Sequence, residues 1–267
     1  MSEFLAPLPL YAIVLLAFTA ESMTGFGATV ITVTLGAQLL PLDQLLPLYV
    51  PANFVLSTWM VASMHPQIDR PWLVGQLLPR VGLGMAVGLA IFRWAPPGPG
   101  LLIGYAALVI ALAALELGRM AKKGSDHLEI ADAEPLQPRV SRASAAALLA
   151  GGLVHGIYGS GGPLMVWASS QRLNEKAKLR ATLAATWTIL SVVLLIQYAS
   201  MGLLGPRSLI ASASLLPAVA LARWIGDHLH DRVSEHAFRR LVYLLLFAGA
   251  ASLLLRTLLK LLSSPPA

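Results

Sequence analysis

The chain contains no cysteine, which excludes disulfides, thiolate nucleophiles and Cys-ligated metals. Charge is scarce: 12% of residues are Asp, Glu, Lys or Arg, against roughly 25% in soluble domains. No Lys or Arg precedes Arg70, so the basic n-region of a secretory signal peptide is lacking. The six histidines are scattered, and only the HLH at 228–230, at a helix end, approaches ligand spacing. No metal site and no cofactor are therefore expected. Of the 267 residues, 57% are hydrophobic, and the mean hydropathy is +0.71. Apolar stretches recur at the length of spanning helices, about 17–25 residues, not at the roughly ten-residue alternation of barrel strands. The expectation is an all-α polytopic membrane protein. Its net charge of +6 sits mainly in short loops between spans, where basic residues set topology, so nucleic acid is not an expected partner.

The hydrophobic pattern reads as a broken segment at about 8–37, spans at about 45–63, 71–92 and 99–120, then a polar insert from Arg119 to Arg142. A second broken segment at about 143–171 and spans at about 179–202, 208–229 and 238–260 follow. The order of elements repeats, which divides the chain into a first membrane repeat (1–120), a cytoplasmic linker (121–142) and a second membrane repeat (143–267). Self-similarity agrees. LLPRVGLGMAVG at 77–88 matches LLPAVALARWIG at 215–226 in six of twelve positions, and Gly25 and Gly27 align with Gly159 and Gly161 at a spacing of 134.

Basic residues orient the chain. The insert carries Arg119, Lys122, Lys123, Arg139 and Arg142, and the loop at 172–180 carries Arg172, Lys176, Lys178 and Arg180. Both are expected in the cytoplasm, with the N-terminus and the loop at 38–44 outside. Both loops stay inside only if the segment between them dips into the membrane and returns. Each repeat then becomes a broken or re-entrant helical hairpin plus three transmembrane helices, and the odd number of spans inverts the second repeat relative to the first. Four of the 19 Lys and Arg fall outside (Arg93, Arg207, Arg256, Lys260), two within spans (Arg80, Arg223) and thirteen inside. Eight plain spans is the alternative.

The breaks themselves are TGFGATVITV from Thr24 and YGSGGPLMVW from Tyr158. Irregular backbone at membrane depth is tolerated only where protein or a water-filled cavity satisfies its polar groups, and paired breaks in a repeat point to a site at the midplane. Free N–H groups at a helix restart favour an anion, and Pro163 suits the first turn of such a helix. Candidate substrate-binding residues are therefore Thr24, Gly25, Phe26 and Gly27 in the first break and Tyr158, Gly159, Ser160, Gly161 and Gly162 in the second. Close helix packing is the alternative use of these glycines. Asn53 and Trp187, at mirrored positions, are candidates to line the path, with packing open for Trp187. Arg80, about ten residues into a span, is expected to face the cavity and fork onto two substrate oxygens; pairing with a carbonyl or snorkelling is the alternative. Arg223 and Asp227, one turn apart, read as a solvated interface pair. Glu21 and His155, each four residues before its break glycine, are candidates to carry a coupling proton, or else to bond the broken helix.

The two halves, the breaks TGFGAT and GIYGSGGP and the polar linker resemble the TauE/SafE family of membrane permeases, and the resemblance covers most of the chain. The first break departs from the longer glycine run of that family at Phe26 and Ala28. The resemblance implies transport of a small sulfur-containing or carboxylate anion, such as sulfite or a sulfonate, through the inner membrane. A passive anion channel is an alternative. An intramembrane serine hydrolase built on Ser160 and His155 is another, although Tyr158 replaces the first glycine of a GxSxG elbow. Cysteines placed at Lys123 and Lys176 are expected to be shielded together from an impermeant thiol reagent added outside, and to react together once the membrane is permeabilised. Labelling at 176 alone would restore the plain spans.

Overall fold

The computed structural model describes residues 7–94, 98–123, 140–173, 175–230 and 235–263; most of the polar insert, 124–139, lies outside them, as does the side chain of His230 in the HLH run. Helices in chain order are α1 (Leu8–Thr24), α2 (Ala28–Gly36), α3 (Leu42–Met64), α4 (Arg70–Trp72), α5 (Leu78–Trp94), α6 (Pro99–Lys123), α7 (Arg142–Tyr158), α8 (Gly162–Ser170), α9 (Lys176–Ser200), α10 (Pro206–Ser214), α11 (Leu216–His230) and α12 (Glu235–Ser263). Among the described residues, six stretches are long and apolar enough to cross a membrane: Leu42–Gln67, Arg70–Trp94, Pro99–Ala121, Lys176–Ser200, Pro206–Leu229 and Arg240–Leu262. The protein is an all-helical multi-pass membrane protein, with spans close to those read from hydropathy.

The remaining four helices form two hairpins. α2 and α8 have nine residues each, about 14 Å at 1.5 Å per residue, too short to cross about 30 Å of hydrocarbon. In the first hairpin, Gly36 at the end of α2 returns to Leu10 near the start of α1, beside Leu45 of α3. In the second, Ser169 at the end of α8 accepts a hydrogen bond from the Trp72 indole at 3.3 Å. Trp72 and Leu45 lie near opposite ends of the bundle, so the hairpins enter from opposite ends.

Each hairpin packs against the second span of the other half. α7 runs parallel to α5, with Val81 meeting Gly152 and Met85 meeting Gly156. Gly84 and Gly88 face α7 in the same seam; the carbonyls of Leu149 and Leu153 occupy the space a side chain at these glycines would need. Small residues let the two backbones touch, the usual means of helix association in lipid. α1 likewise runs parallel to α11: Tyr11 bonds Ser214 at 2.7 Å, and Gly226 sits on Ser22 and the Thr19 carbonyl. The correspondence is residue by residue, since Gly226 aligns with Gly88, Ser22 with Gly156 and Thr19 with Leu153.

The aligned LLP segments break their helices in the same place. Before Pro79, Leu73–Leu77 forms a π-helical turn; before Pro217, the chain breaks at Leu215 between α10 and α11. Proline supplies no N–H to the carbonyl one turn back and crowds it. The span read at 208–229 is therefore two helices. At the centre stand α3 and α9, with 61% and 56% of their apolar windows buried, against 22% for α6. Leu83, Val87 and Leu115 remain exposed, as expected of lipid-facing positions.

A methyl at Gly152 collides with the Val81 backbone, whereas a methyl at Gly82, on the same helix pair, meets nothing within 4 Å. Overpacking of this kind costs about 1–3 kcal/mol. Gly152→Ala is expected to lower the thermal midpoint of the purified protein by several degrees and Gly82→Ala to leave it in place; equal midpoints would refute the close seam.

Candidate functional site at the hairpin breaks

Both breaks are built alike. α1 ends at Gly25, left-handed at φ 84°, whose N–H donates to the Glu21 carbonyl at 2.7 Å. α7 ends at Gly159, left-handed at φ 63°, whose N–H donates to the His155 carbonyl at 2.7 Å. Glycine adopts this conformation without the penalty a side chain carries. Gly27, at φ 109°, starts α2; Gly161, at φ −84°, starts α8 and packs on the Gly151 carbonyl. Gly161 is thus small in order to close its own hairpin, whereas a methyl at Gly162 would lie 3.9 Å from the Trp187 ring, an ordinary contact.

The side chains preceding the breaks reach across them. The Glu21 carboxyl lies within electrostatic reach of the Ala28 N–H at the start of α2, and His155 Nδ1 accepts the Gly161 N–H at 3.5 Å, just ahead of α8. With Nδ1 accepting, the imidazole proton belongs on Nε2. Glu21 and His155 are 2% and 4% exposed, and Glu21 Oε1 and His155 Nε2 bond no other described atom. A buried polar atom without a partner is costly, and here two such atoms stand at equivalent positions beside the two breaks.

Aromatic residues join the breaks. Trp187 on α9 donates its indole N–H to the Gly25 carbonyl at 2.7 Å and stacks on His155, with ring centroids 5.8 Å apart and planes at 21°. Tyr49 donates to Asn53 Oδ1 at 3.0 Å, meets the Thr29 hydroxyl at 2.9 Å and lies within electrostatic reach of Glu21. Gly159 sits against Thr29, Leu46 and Leu194. Tyr105 packs on Tyr158 with ring centroids 4.7 Å apart and planes tilted by 42°, and its hydroxyl lies 3.1 Å from Ser160 Oγ and 3.3 Å from the Val30 carbonyl. Thr24 Oγ1 lies 2.8 Å from the Ala20 carbonyl and 2.9 Å from that of Phe26, bracing the first break. A recess beside it is lined by Thr24, Phe26 and Gly27, by Pro163 of the second break, and by Tyr243 and Leu246 of α12.

The structure thus gathers Glu21, Thr24, Gly25, Phe26, Gly27, Asn53, His155, Tyr158, Gly159, Ser160, Gly161, Gly162 and Trp187 at the two breaks. Arg80 does not join them: it is half-buried on α5 and donates to the Gln76 carbonyl of its own helix at 2.9 Å. The cation that abuts a break is Arg180, whose Cα lies 2.9 Å from where a Gly25 methyl would stand. Arg223 does pair with Asp227, at 2.6 Å, but it is buried, not solvated. Nor do Ser160 and His155 form a nucleophile and base, because each faces another partner. Tyr49, Tyr105, Thr29 and Arg180 also stand at the breaks, and sequence reading did not single them out. The signals were a tyrosine one turn before Asn53, a lone phenol in an apolar span, and a fourth basic residue in a loop explained by topology alone.

Trp187→Phe keeps the ring on His155 and removes the N–H from the Gly25 carbonyl. Leaving that buried carbonyl unpaired costs about 1–3 kcal/mol. The expected result is a lower thermal midpoint in a folded protein; an unchanged midpoint would show that the indole does not hold the first break.

Residues 10–253 match the family model for sulfite exporter TauE/SafE. No curated protein and no solved structure matches the chain. The match covers nearly all of the chain, from within the first hairpin through the first five spans and into the sixth, and the family is one of transporters for small anions across membranes. The chain belongs to the sulfite exporter TauE/SafE family.

Proposed function

We propose that the protein is a proton-coupled secondary transporter that exports a small oxyanion, sulfite or a sulfonate, across the inner membrane, and that the hairpin breaks are its substrate site. Its two halves are read as inverted repeats related by duplication. The observation that carries the proposal is that Glu21 and His155, buried and each with an unpartnered polar atom, stand beside the amides at the starts of the two short helices. Those amides are where an anion would bind.

The coupling follows from charge. An ionised Glu21 beside the Ala28 N–H places a negative charge at the helix start that an oxyanion requires, so the two exclude each other. Protonation of Glu21 removes the competing charge, and the anion then binds with a proton already aboard. His155, at the equivalent position, can take a proton on Nδ1 only by releasing the Gly161 N–H, which frees that amide as well. Protonation and anion binding therefore support each other at both breaks, which is the thermodynamic requirement for cotransport. Trp187, bonded to one break and stacked on the other, is suited to pass a change at one to its counterpart. Tyr49, Asn53, Thr29 and Ser160 supply neutral hydrogen bonds that orient oxygens without adding charge.

In proteoliposomes, wild-type sulfite flux is expected to move protons with the anion, read as a change in luminal pH, and to quicken at acid pH. Glu21→Gln, which resembles the protonated acid, is expected to keep sulfite exchange while losing most of the accompanying proton movement and the pH dependence. Proton-coupled flux at the wild-type level in Glu21→Gln would remove Glu21 from the mechanism. Flux without proton movement in the wild type would make the protein a passive channel.

A further inference from the structure

Beneath the first break, on the end of the bundle that basic residues assign to the cytoplasm, lies a charged cluster that the proposed mechanism does not use. Arg180 Nη2 and Arg223 Nη1 converge on one oxygen, Oδ1 of Asp227, at 2.8 and 2.6 Å. Arg223 Nη2 also donates to Ser63 at 3.2 Å. The cluster thus joins α9, α11 and the end of α3, and Arg180 packs directly on Gly25.

The charges do not balance. Among the described residues Asp227 is the only acid paired with either arginine, so two guanidiniums share one carboxylate and a full positive charge is left over. The arginine side chains are 11% and 9% exposed, whereas Asp227 is 43% exposed. Leaving cations buried and underpaired is unfavourable. The donors are not exhausted either, since Arg180 Nε is buried without a partner. A carboxylate that offers one oxygen to both arginines leaves that donor unused. A group with three oxygens in a pyramid, a sulfonate or sulfite, can take Nε and Nη2 of Arg180 side-on and Nη1 of Arg223 together.

We propose that Arg180 and Arg223 form an oxyanion-binding station under the first break, and that Asp227 is its tethered, displaceable occupant. The exposed carboxylate swings toward solvent when a three-oxygen anion arrives and returns when the anion leaves. The station is a holding point on the cytoplasmic side, separate from the amides at the breaks. Only its choice of anion class rests on the function proposed above.

The test is calorimetric titration of the purified full-length protein, without any gradient, using methanesulfonate as the probe and acetate as the two-oxygen control. Asp227→Asn removes the competing charge and is expected to tighten methanesulfonate binding about tenfold, with a smaller gain for acetate. Adding Arg180→Lys to Asp227→Asn is expected to reverse that gain. Unchanged or weaker binding in folded Asp227→Asn overturns the station, as does an Arg180→Lys change that leaves the affinity of Asp227→Asn intact. Should Asp227→Asn fail to fold, Arg180→Lys alone keeps the ion pair and is expected to weaken methanesulfonate binding about tenfold; unchanged affinity overturns the proposal. Repeating the titration in Glu21→Gln separates the two readings. The gain from Asp227→Asn persists there if the station exists, whereas failure of proton coupling appears only in the flux measurements.

Discussion

A helix interrupted inside a bilayer must find partners for every backbone group it frees, and the rest of this structure is arranged around that demand. Each interruption is capped by a left-handed glycine that returns its N–H to the residue four before it. The carbonyl of Gly25 is taken by Trp187 from the other half, and the restarting amides are met by Glu21 and His155. The groups that satisfy the broken backbone are themselves titratable or borrowed from a distant helix. Under the proposed function, structural repair and ligand chemistry share the same atoms.

The interlocking of halves follows from the same demand. A nine-residue helix cannot hold its place in lipid alone, so each hairpin rests its long arm in a glycine-lined seam offered by the opposite half, α7 on α5 and α1 on α11. Bare backbone contact leaves little freedom for the hairpin to slide against its seam. Each hairpin and the span that cradles it thus form one packed unit beside the central pair α3 and α9. Trp187, on α9, stands where two such units meet.

Much of this was legible in the sequence because glycine and proline leave a mark that does not depend on partners. Gly25, Gly27 and Gly159 are needed for backbone conformation, and their recurrence at a fixed spacing exposed both breaks. Glu21 and His155 were legible for a related reason: a titratable group in an apolar run is expensive and four residues place it beside the cap. Arg80 was misplaced because counting residues gives depth but not direction. It is adjacent to Val81, which faces α7, yet one residue turns the helix by about 100°, and its guanidinium finds a carbonyl of its own helix. The break before Pro217 was passed over because hydropathy runs smoothly through it. Tyr49, Tyr105 and Arg180 left only faint signals, since their placement comes from contacts between elements far apart in the chain.

The pairing of α1 with α11 has a consequence for how the protein is made. Tyr11 and Ser214, which bond each other, are 203 residues apart, and at a synthesis rate of about 5–20 residues per second roughly 10–40 s separate their emergence from the ribosome. Throughout that interval the first hairpin must wait in the membrane with Glu21, its broken backbone and its glycine-bound face lacking the helices that complete them. The second hairpin meets no such delay, because α5 is already in place when α7 emerges. Vectorial synthesis thus makes two geometrically equivalent halves unequal in biogenesis, and the first hairpin is the part of the nascent chain most dependent on the insertion machinery for shelter.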